Sequence, residues 1–205
     1  MDGRLAKGQS TRDHLVTAAQ ILFARDGYDA TSTETILQQS GISRGSLYHH
    51  FPDKKALFDA VLVRVHAEAV QITIRAARGS ADGVEALRAG CLAWIKLARD
   101  PAVSRIVLID APAVVGWVRW RQIDEQHSFG VVKAGLRAAA RRDLLPERMI
   151  EPVGHILLAA LNELALLIAT SRDPKRAERE AIAAFDVVLR RLLGGDRRPR
   201  GQRRD

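Results

Sequence analysis

The stretch "GISRGSLYHHF", residues 41–51, decides the fold of this chain. Gly41 permits a tight reversal, Ser43 is placed to cap a helix, and Leu47 and Phe51, four residues apart, point to one side of that helix. Pro52 then stops it, because the proline ring has no N–H to continue the ladder. With the apolar pair turned inward, Arg44, Ser46, Tyr48, His49 and His50 take the outward positions and face a partner together.

Upstream, the apolar spacing of Leu15, Ala18, Ala19, Leu22 and Phe23 predicts a helix from about Ser10 to Asp26, stopped by Gly27. Thr31 and Glu34 stand three apart, as in a capping box, ahead of a short helix that carries Ile36 and Leu37 and ends at Ser40 and Gly41. Two short helices joined by a glycine turn, the second headed by polar residues, form a helix-turn-helix whose second helix fits the major groove of DNA. Arg44 has the planar fork that matches guanine O6 and N7, and Gly45 allows close approach of the backbone. Ser43, Ser46, Tyr48, His49 and His50 can reach phosphate oxygens. Thr33, at the start of the first helix of the pair, and Lys54, at the start of the next long helix, complete the candidate DNA-binding set. Tyr48 fits two roles, a ring packed on the core or a hydroxyl on phosphate. The adjacent pair His49-His50 diverges by about 100° on a helix and has no carboxylate or cysteine partner, so no metal site is assigned there.

At these residues the chain resembles the TetR family of one-component transcriptional regulators. The resemblance runs from LFARDGYDATS through ILQQSGISRGSLYHHFPDKKALF, where Phe23, Gly27, Tyr28, Thr31, Ile36, Gly41, Ser43, Gly45, Leu47, Tyr48, His50, Phe51, Lys54 and Leu57 fit the family pattern. Ser40, where the family usually has Ala, and the polar pair Gln38-Gln39 depart from it without threatening the fold. Beyond these 50 or so residues the likeness rests on helix order and on IDAPAVVGWVRW, which resembles the sensor domains of one subgroup. The resemblance implies a ligand-responsive second domain and a dimer through a four-helix interface.

The rest of the chain also reads as helices, so the expected class is all-α: a three-helix DNA-binding domain over residues 1–55 and a larger helical sensor and dimerisation domain over 56–193. Residues 194–205, GGDRRPRGQRRD, form an expected disordered basic tail. Helices are expected from Lys54 to about Arg78, from Asp82 to Arg99, briefly after Pro101, from Trp117 to Arg142, from Met149 to Ser171 and from Lys175 to Leu193. Pro112 and Gly116 are expected to break the chain between them. The Met149–Ser171 segment is apolar nearly all round and needs cover on more than one side, which a two-fold dimer through the last two helices would supply.

The net charge is +8, yet residues 1–55 carry seven Lys or Arg against six Asp or Glu, so local geometry and helix N-termini, rather than bulk charge, must hold DNA there. Arg4, Lys7 and Arg12 could form an arm along the DNA, but a frayed terminus is the expectation. The apolar run His155–Ala169 is interrupted by Asn162 and Glu163 and falls short of the roughly 20 residues that span a bilayer, and the N-terminus lacks a signal-peptide core, so a cytoplasmic protein is expected. The single cysteine, Cys91, reads as a buried structural thiol.

Among apolar surroundings, Trp94, Asp110, Trp117, Trp120, His127 and Asn162 are the candidate pocket residues, with His155 and Glu163 as further polar groups. The tryptophans also fit plain core positions, and His127 fits a hydrogen-bonded core histidine. Asp124-x-x-His127 and Glu151 with His155 echo carboxylate-bridged dimetal bundles, but the second paired motif that such a site needs is absent from the sequence. Nucleophile elbows, phosphate loops and zincin signatures are absent too, so no catalytic residue, metal or cofactor is assigned. The reading is a repressor that leaves an inverted-repeat operator in double-stranded DNA when a small-molecule effector binds. A nonspecific architectural DNA binder is the other reading, and it would bind without sequence preference.

Overall fold

The computed structural model describes residues 2–80 and 82–193, and of residues 2–7 the backbone alone. Among the described residues every regular element is helical. The basic tail, and the side chains of Arg4 and Lys7, lie outside the described residues.

Of the first three helices, α1 (Asp2–Asp26), α2 (Thr33–Ser40) and α3 (Arg44–His50), the latter two pack on α1, which packs in turn on α4 (Lys54–Ala77). Helix α1 starts well before Ser10, the sequence-predicted end, and still stops where Gly27 N–H reaches back to the Phe23 carbonyl. The cap of α2 lies one residue later than the capping box placed it. Ser32, in an extended conformation, accepts from Thr35 N–H at 3.0 Å, and its hydroxyl also meets that of Thr35 at 2.8 Å. Thr31 is instead buried and donates its hydroxyl to the Gly27 carbonyl at 2.7 Å, which leaves Glu34 free for another partner. Gly41, at φ 68°, closes α2 in the left-handed conformation that other residues adopt only with strain. Ser43 caps α3 and Asp53 caps α4, both as the sequence predicts.

Leu15, Leu22, Phe23, Ile36, Leu47 and Phe51 are buried together with Leu57, Phe58, Val61 and Leu62 of α4. Phe23, Tyr28 and Phe58 form an aromatic triangle with ring centroids 5.1–5.8 Å apart, two of its contacts edge-to-face. The core of this first unit therefore runs past residue 55 into α4, which continues without a break to Ala77.

The remaining helices are α5 (Gly83–Leu97), a widened π-helical stretch Val103–Asp110 that runs into α6 (Ala111–Val114), then α7 (Trp117–Asp124), a second π-helical stretch Glu125–Phe129, α8 (Gly130–Ala140), α9 (Ile150–Ala169) and α10 (Pro174–Leu193). Pro112 does not break the chain as expected. Ala111 N–H already bonds five residues back to Ile106, and Pro112, which has no N–H, sits in the first turn of α6, where none is needed. Gly116 does end that run. The expected single helix Trp117–Arg142 is continuous but over-wide in its middle.

Helix α5 lies between α4 and α8, and α9 packs on α5, α8 and α10. The α9 segment corrects the sequence reading of its length: with the preceding turn it covers Glu147–Ala169, 23 residues with a mean hydropathy of 1.7 in the most apolar window, enough by length and composition to cross a membrane. Its Val153, Leu157, Leu161 and Ala165 side is buried in the second unit, whereas Ile156, Leu166 and Leu167 are exposed. Val187 and Val188 on α10 are exposed as well.

Candidate nucleic-acid interface and inner cavity

Helix α3 is fixed from beneath by Leu47 and Phe51, and at its start by Ser43, whose hydroxyl accepts from Ser46 N–H at 3.3 Å. That leaves Arg44, Gly45, Tyr48 and His49 exposed, with Ser46, His50 and Thr33 half-buried beside them. A Cβ built on Gly45 meets nothing within 4 Å, so the backbone there is open to a close partner. Arg44 Nη1 lies 3.1 Å from Glu34 Oε1 of α2, and its guanidinium stands 5.6 Å over the Tyr48 ring. The Glu34 carboxyl is held below its ordinary range, first by its own backbone N–H, then by the Thr33 hydroxyl and by Arg44. An exposed pair of this kind is weak, so Arg44 can exchange Glu34 for a base edge at little cost.

Lys54 is placed differently from the free phosphate contact that the sequence suggests. Its ammonium donates to the carbonyls of Tyr28 at 2.9 Å and Thr31 at 3.0 Å and lies 4.1 Å from the Tyr28 ring centroid, tying α4 to the α1–α2 loop. Lys55 beside it is exposed and, among the described residues, has no ion pair or side-chain hydrogen bond, a free cation that sequence reasoning missed. Two lysines in succession at a helix start were the signal, since only one of them can turn under the loop. Arg12, read as part of a frayed arm, lies on α1 with its guanidinium 5.1 Å over the Phe51 ring.

Besides α4 itself and the packing of α1 on the Val103–Asp110 stretch, polar contacts tie this unit to the rest. Asp110 accepts from Tyr28 N–H at 2.7 Å through Oδ2 and pairs with Arg105 at 3.1 Å through Oδ1. Arg119 grips Asp59 of α4 with two bonds of 2.8 Å.

Inside the second unit, a cavity of about 280 Å³ lies between α4, α5, α8 and α9. Helices α5 and α8 approach closely beside it because Gly135 has no side chain: a Cβ there would come within 2.5 Å of Leu87 Cβ. The polar groups gather at one end. Asn162 Nδ2 donates to Asp124 Oδ2 at 2.9 Å, His66 Nε2 lies 3.1 Å from Ser128 Oγ and 3.8 Å from Asp124 Oδ1, and Arg121 reaches Asp124 at 3.6 Å. Burial pushes the Asp124 carboxyl up, against the hydrogen bonds of Asn162 and Ser128 and the charge of Arg121. Burial likewise lowers His66 to about 4, with His127 adding to the effect. The Cys91 thiol, on the cavity wall, is pushed up to about 12 by burial and is inert as a nucleophile.

Of the six candidate pocket residues, Trp94 and Asn162 line this cavity. Trp120 is buried with its indole N–H on the Val107 carbonyl at 2.9 Å. Trp117, 63% exposed, lies tilted beside it at 4.9 Å, and both line, together with Asn162, His155 and Glu163, a second cavity of about 670 Å³ against α9. His127 sits 5.7 Å from His66, centroid to centroid, outside the cavity lining, and Asp110 belongs to the joint with the first unit. Sequence reasoning missed His66, Asp124 and Ser128 as one cluster, since helical spacing does not reveal which face of α4 meets the end of α7 and the π-helical stretch that follows it. Among the described residues, no three His, Cys, Asp or Glu side chains converge as a metal site would require.

Residues 15–61 match the family described as bacterial regulatory proteins, tetR family, and residues 84–192 match the tetracyclin repressor-like C-terminal domain. An HTH-type transcriptional regulator of Mycobacterium tuberculosis is 27% identical, over 76% of this chain and 98% of its own length. The crystal structure of a TetR-family transcriptional regulator from Pectobacterium atrosepticum is 30% identical, with a TM-score of 0.81 over 93% of this chain and 97% of that one. RolR, solved in complex with resorcinol, shares the fold at 15% identity, with a TM-score of 0.68 over 97% of this chain and 98% of its own. With a capped helix-turn-helix that presents Arg44 and its neighbours, and a helical second domain matched over most of its length, the chain belongs to the TetR family and is a DNA-binding transcriptional regulator.

Proposed function

We propose that this regulator is a cytoplasmic repressor that binds an inverted-repeat operator as a homodimer and releases it when a small molecule occupies the cavity beside Trp94 and Asn162. The observation that carries this reading is the sharing of α4: its first turns lie in the core with α1–α3, and its later turns, from Val70 to Ala77, line the cavity. A ligand that favours one packing of α5 and α8 against α4 can thereby shift the DNA-reading helices, by as much as its affinities for the two packings differ. Resorcinol in RolR supports a small-molecule effector for a chain of this fold.

The exposed Ile156, Leu166 and Leu167 of α9, next to Val187 and Val188 of α10, favour a two-fold helical interface through these helices over a membrane as their cover. A dimer so built presents two copies of α3 about one helical turn of DNA apart, and so calls for an inverted repeat. Selection from a random duplex pool, with light scattering of the free and bound protein, tests this directly. Dimeric protein and a recovered inverted repeat are the expected result; a monomer, or sites without repeat symmetry, would overturn it.

A further inference from the structure

The cavity has two unlike ends. Along α5 it extends from Gly83 to Trp94, which at about 1.5 Å per residue is a length of roughly 16 Å. The wall between them is apolar and uncharged, with Leu87, Cys91, Val132 and Leu158. Its volume of about 280 Å³ lies at the lower edge of the roughly 300–1,000 Å³ usual for small-molecule sites, which suits a slim ligand and leaves no room for one carrying a nucleotide.

At the inner end, Trp94 and Asp124 flank His66, whose ring centroid is 5.4 Å from that of Trp94 and whose Nε2 is 3.8 Å from Asp124. Trp94 Nε1 is the one buried side-chain nitrogen or oxygen without a hydrogen-bond partner among the described residues. An unmatched buried donor is costly, so an occupant that accepts from it gains more than it would in water. The neighbouring Asp124 carboxyl accepts from Asn162 and Ser128, with Arg121 and His66 at 3.6 and 3.8 Å, and its two oxygens have about four lone-pair sites in all, so it favours an occupant that also donates. A hydroxyl does both. A carbonyl answers only Trp94, an ammonium only Asp124, and a carboxylate would be set against the carboxyl of Asp124.

At the outer end stands Arg141, exposed and, among the described residues, without an ion pair or side-chain hydrogen bond, although its neighbour Arg142 is paired with Asp82 at 3.0 Å. A free guanidinium at the mouth of an apolar tube suits an anion that stays near water while the rest of the molecule is desolvated.

We propose that the cavity takes an elongated, mainly apolar hydroxy acid, with its hydroxyl between Trp94 and Asp124 and its carboxylate at Arg141. This deepens the reading of the cavity as the effector site and rests on it.

Calorimetric titration of the full chain with 4′-hydroxybiphenyl-4-carboxylic acid, biphenyl-4-carboxylic acid and 4-hydroxybiphenyl tests both ends at once. The hydroxy acid should bind about tenfold tighter than either parent that lacks one group. Trp94→Phe, which keeps a ring and removes the N–H, should abolish the advantage of the hydroxyl while retaining that of the carboxylate; Arg141→Met should do the reverse. Should Trp94→Phe not fold, the ranking on the unaltered protein and on the surface variant Arg141→Met still decides. The proposal is overturned if the three probes bind alike, if none binds at millimolar concentration, or if either variant weakens all three equally. Operator binding measured in parallel separates the two claims. Failure of the probes with an intact preference for an inverted repeat sinks only the ligand class, whereas probe binding in the expected order without operator release sinks the release mechanism.

Discussion

The DNA-reading unit and the second unit are closed by different means. In the first, α2, α3 and α4 each begin with a side chain that accepts a backbone N–H of the first turn, from Ser32, Ser43 and Asp53, and Lys54 pins the loop between α1 and α2 from below. In the second, Asp82 and Asp173 cap α5 and α10 in the same way, but α6, α7, α8 and α9 begin without a side-chain cap, two stretches widen into π-helical turns, and a cavity remains between the helices. Side-chain caps thus fix every helix start from α2 to α4, whereas the middle helices of the second unit, α6 to α9, are placed by side-to-side packing alone. A regulator needs this difference, because a reader must hold its side chains in register with base edges and a sensor must have another packing within reach.

The largest expected effect tests the rigidity of the reader. Phe58→Ala removes the shared side of the aromatic triangle from a fully buried site and should cost about 3–5 kcal/mol, read as a lowered midpoint in urea unfolding. A cost below about 1 kcal/mol would mean that this core is looser than the contrast requires.

Next in size is the response of the sensor to acid. His66 is held at about 4 in the folded state against about 6.5 when unfolded, so it is neutral and buried, facing Asp124, Ser128, His127 and Trp94. Because the unfolded chain binds the proton more readily, the stability from His66 is fully present above pH 6.5 and is lost as pH falls toward 4, by up to about 3 kcal/mol. Asp124, raised by burial, has the opposite sign and regains part of this loss as it protonates. Thermal melts from pH 7 to pH 4 should show the decline, and His66→Gln should flatten it; an unchanged slope in that variant would place the acid sensitivity elsewhere.

Smaller effects separate the two lysines and the two kinds of closure. Lys54→Met leaves two carbonyls without their cation and should cost about 1–3 kcal/mol of stability, whereas Lys55→Ala should leave the melting temperature unchanged and lower the salt slope of DNA binding by about one. Reversed outcomes would exchange their roles. Ser32→Ala, which removes the α2 cap, should cost about 1 kcal/mol by the same melts. Val132→Ile, whose extra methyl group can enter the cavity, should change stability by less than about 1.5 kcal/mol, and a larger loss would show that wall to be tightly packed.

The same contrast explains what could be read from the sequence. Caps and turns act over three or four residues, so Gly41, Ser43 and Asp53 were legible as signals and the helix-turn-helix followed from them. Ser32 was displaced by one position because Thr31 and Glu34 imitate its spacing. Pocket residues depend on how α4, α5, α8 and α9 rotate about their axes, which an apolar stripe several residues wide leaves open. Trp94 and Asn162 were therefore found on the cavity wall, Asp110 was drawn into the joint with Tyr28, and Trp117 lies on the outer surface. The role of Lys54 was hidden for a related reason: a cation that faces DNA and one that faces two carbonyls have the same sequence signature.

We propose that α3 reads bases through Arg44 and that the rest of the reader holds it in place. The direct measurement is parallel selection from one random duplex pool with the unaltered protein and with Arg44→Ala. The expected result is the same inverted repeat for both, with one position in each half-site relaxed in the variant and its affinity reduced by about 1–3 kcal/mol. An identical preference at every position would contradict the assignment of Arg44 to base recognition.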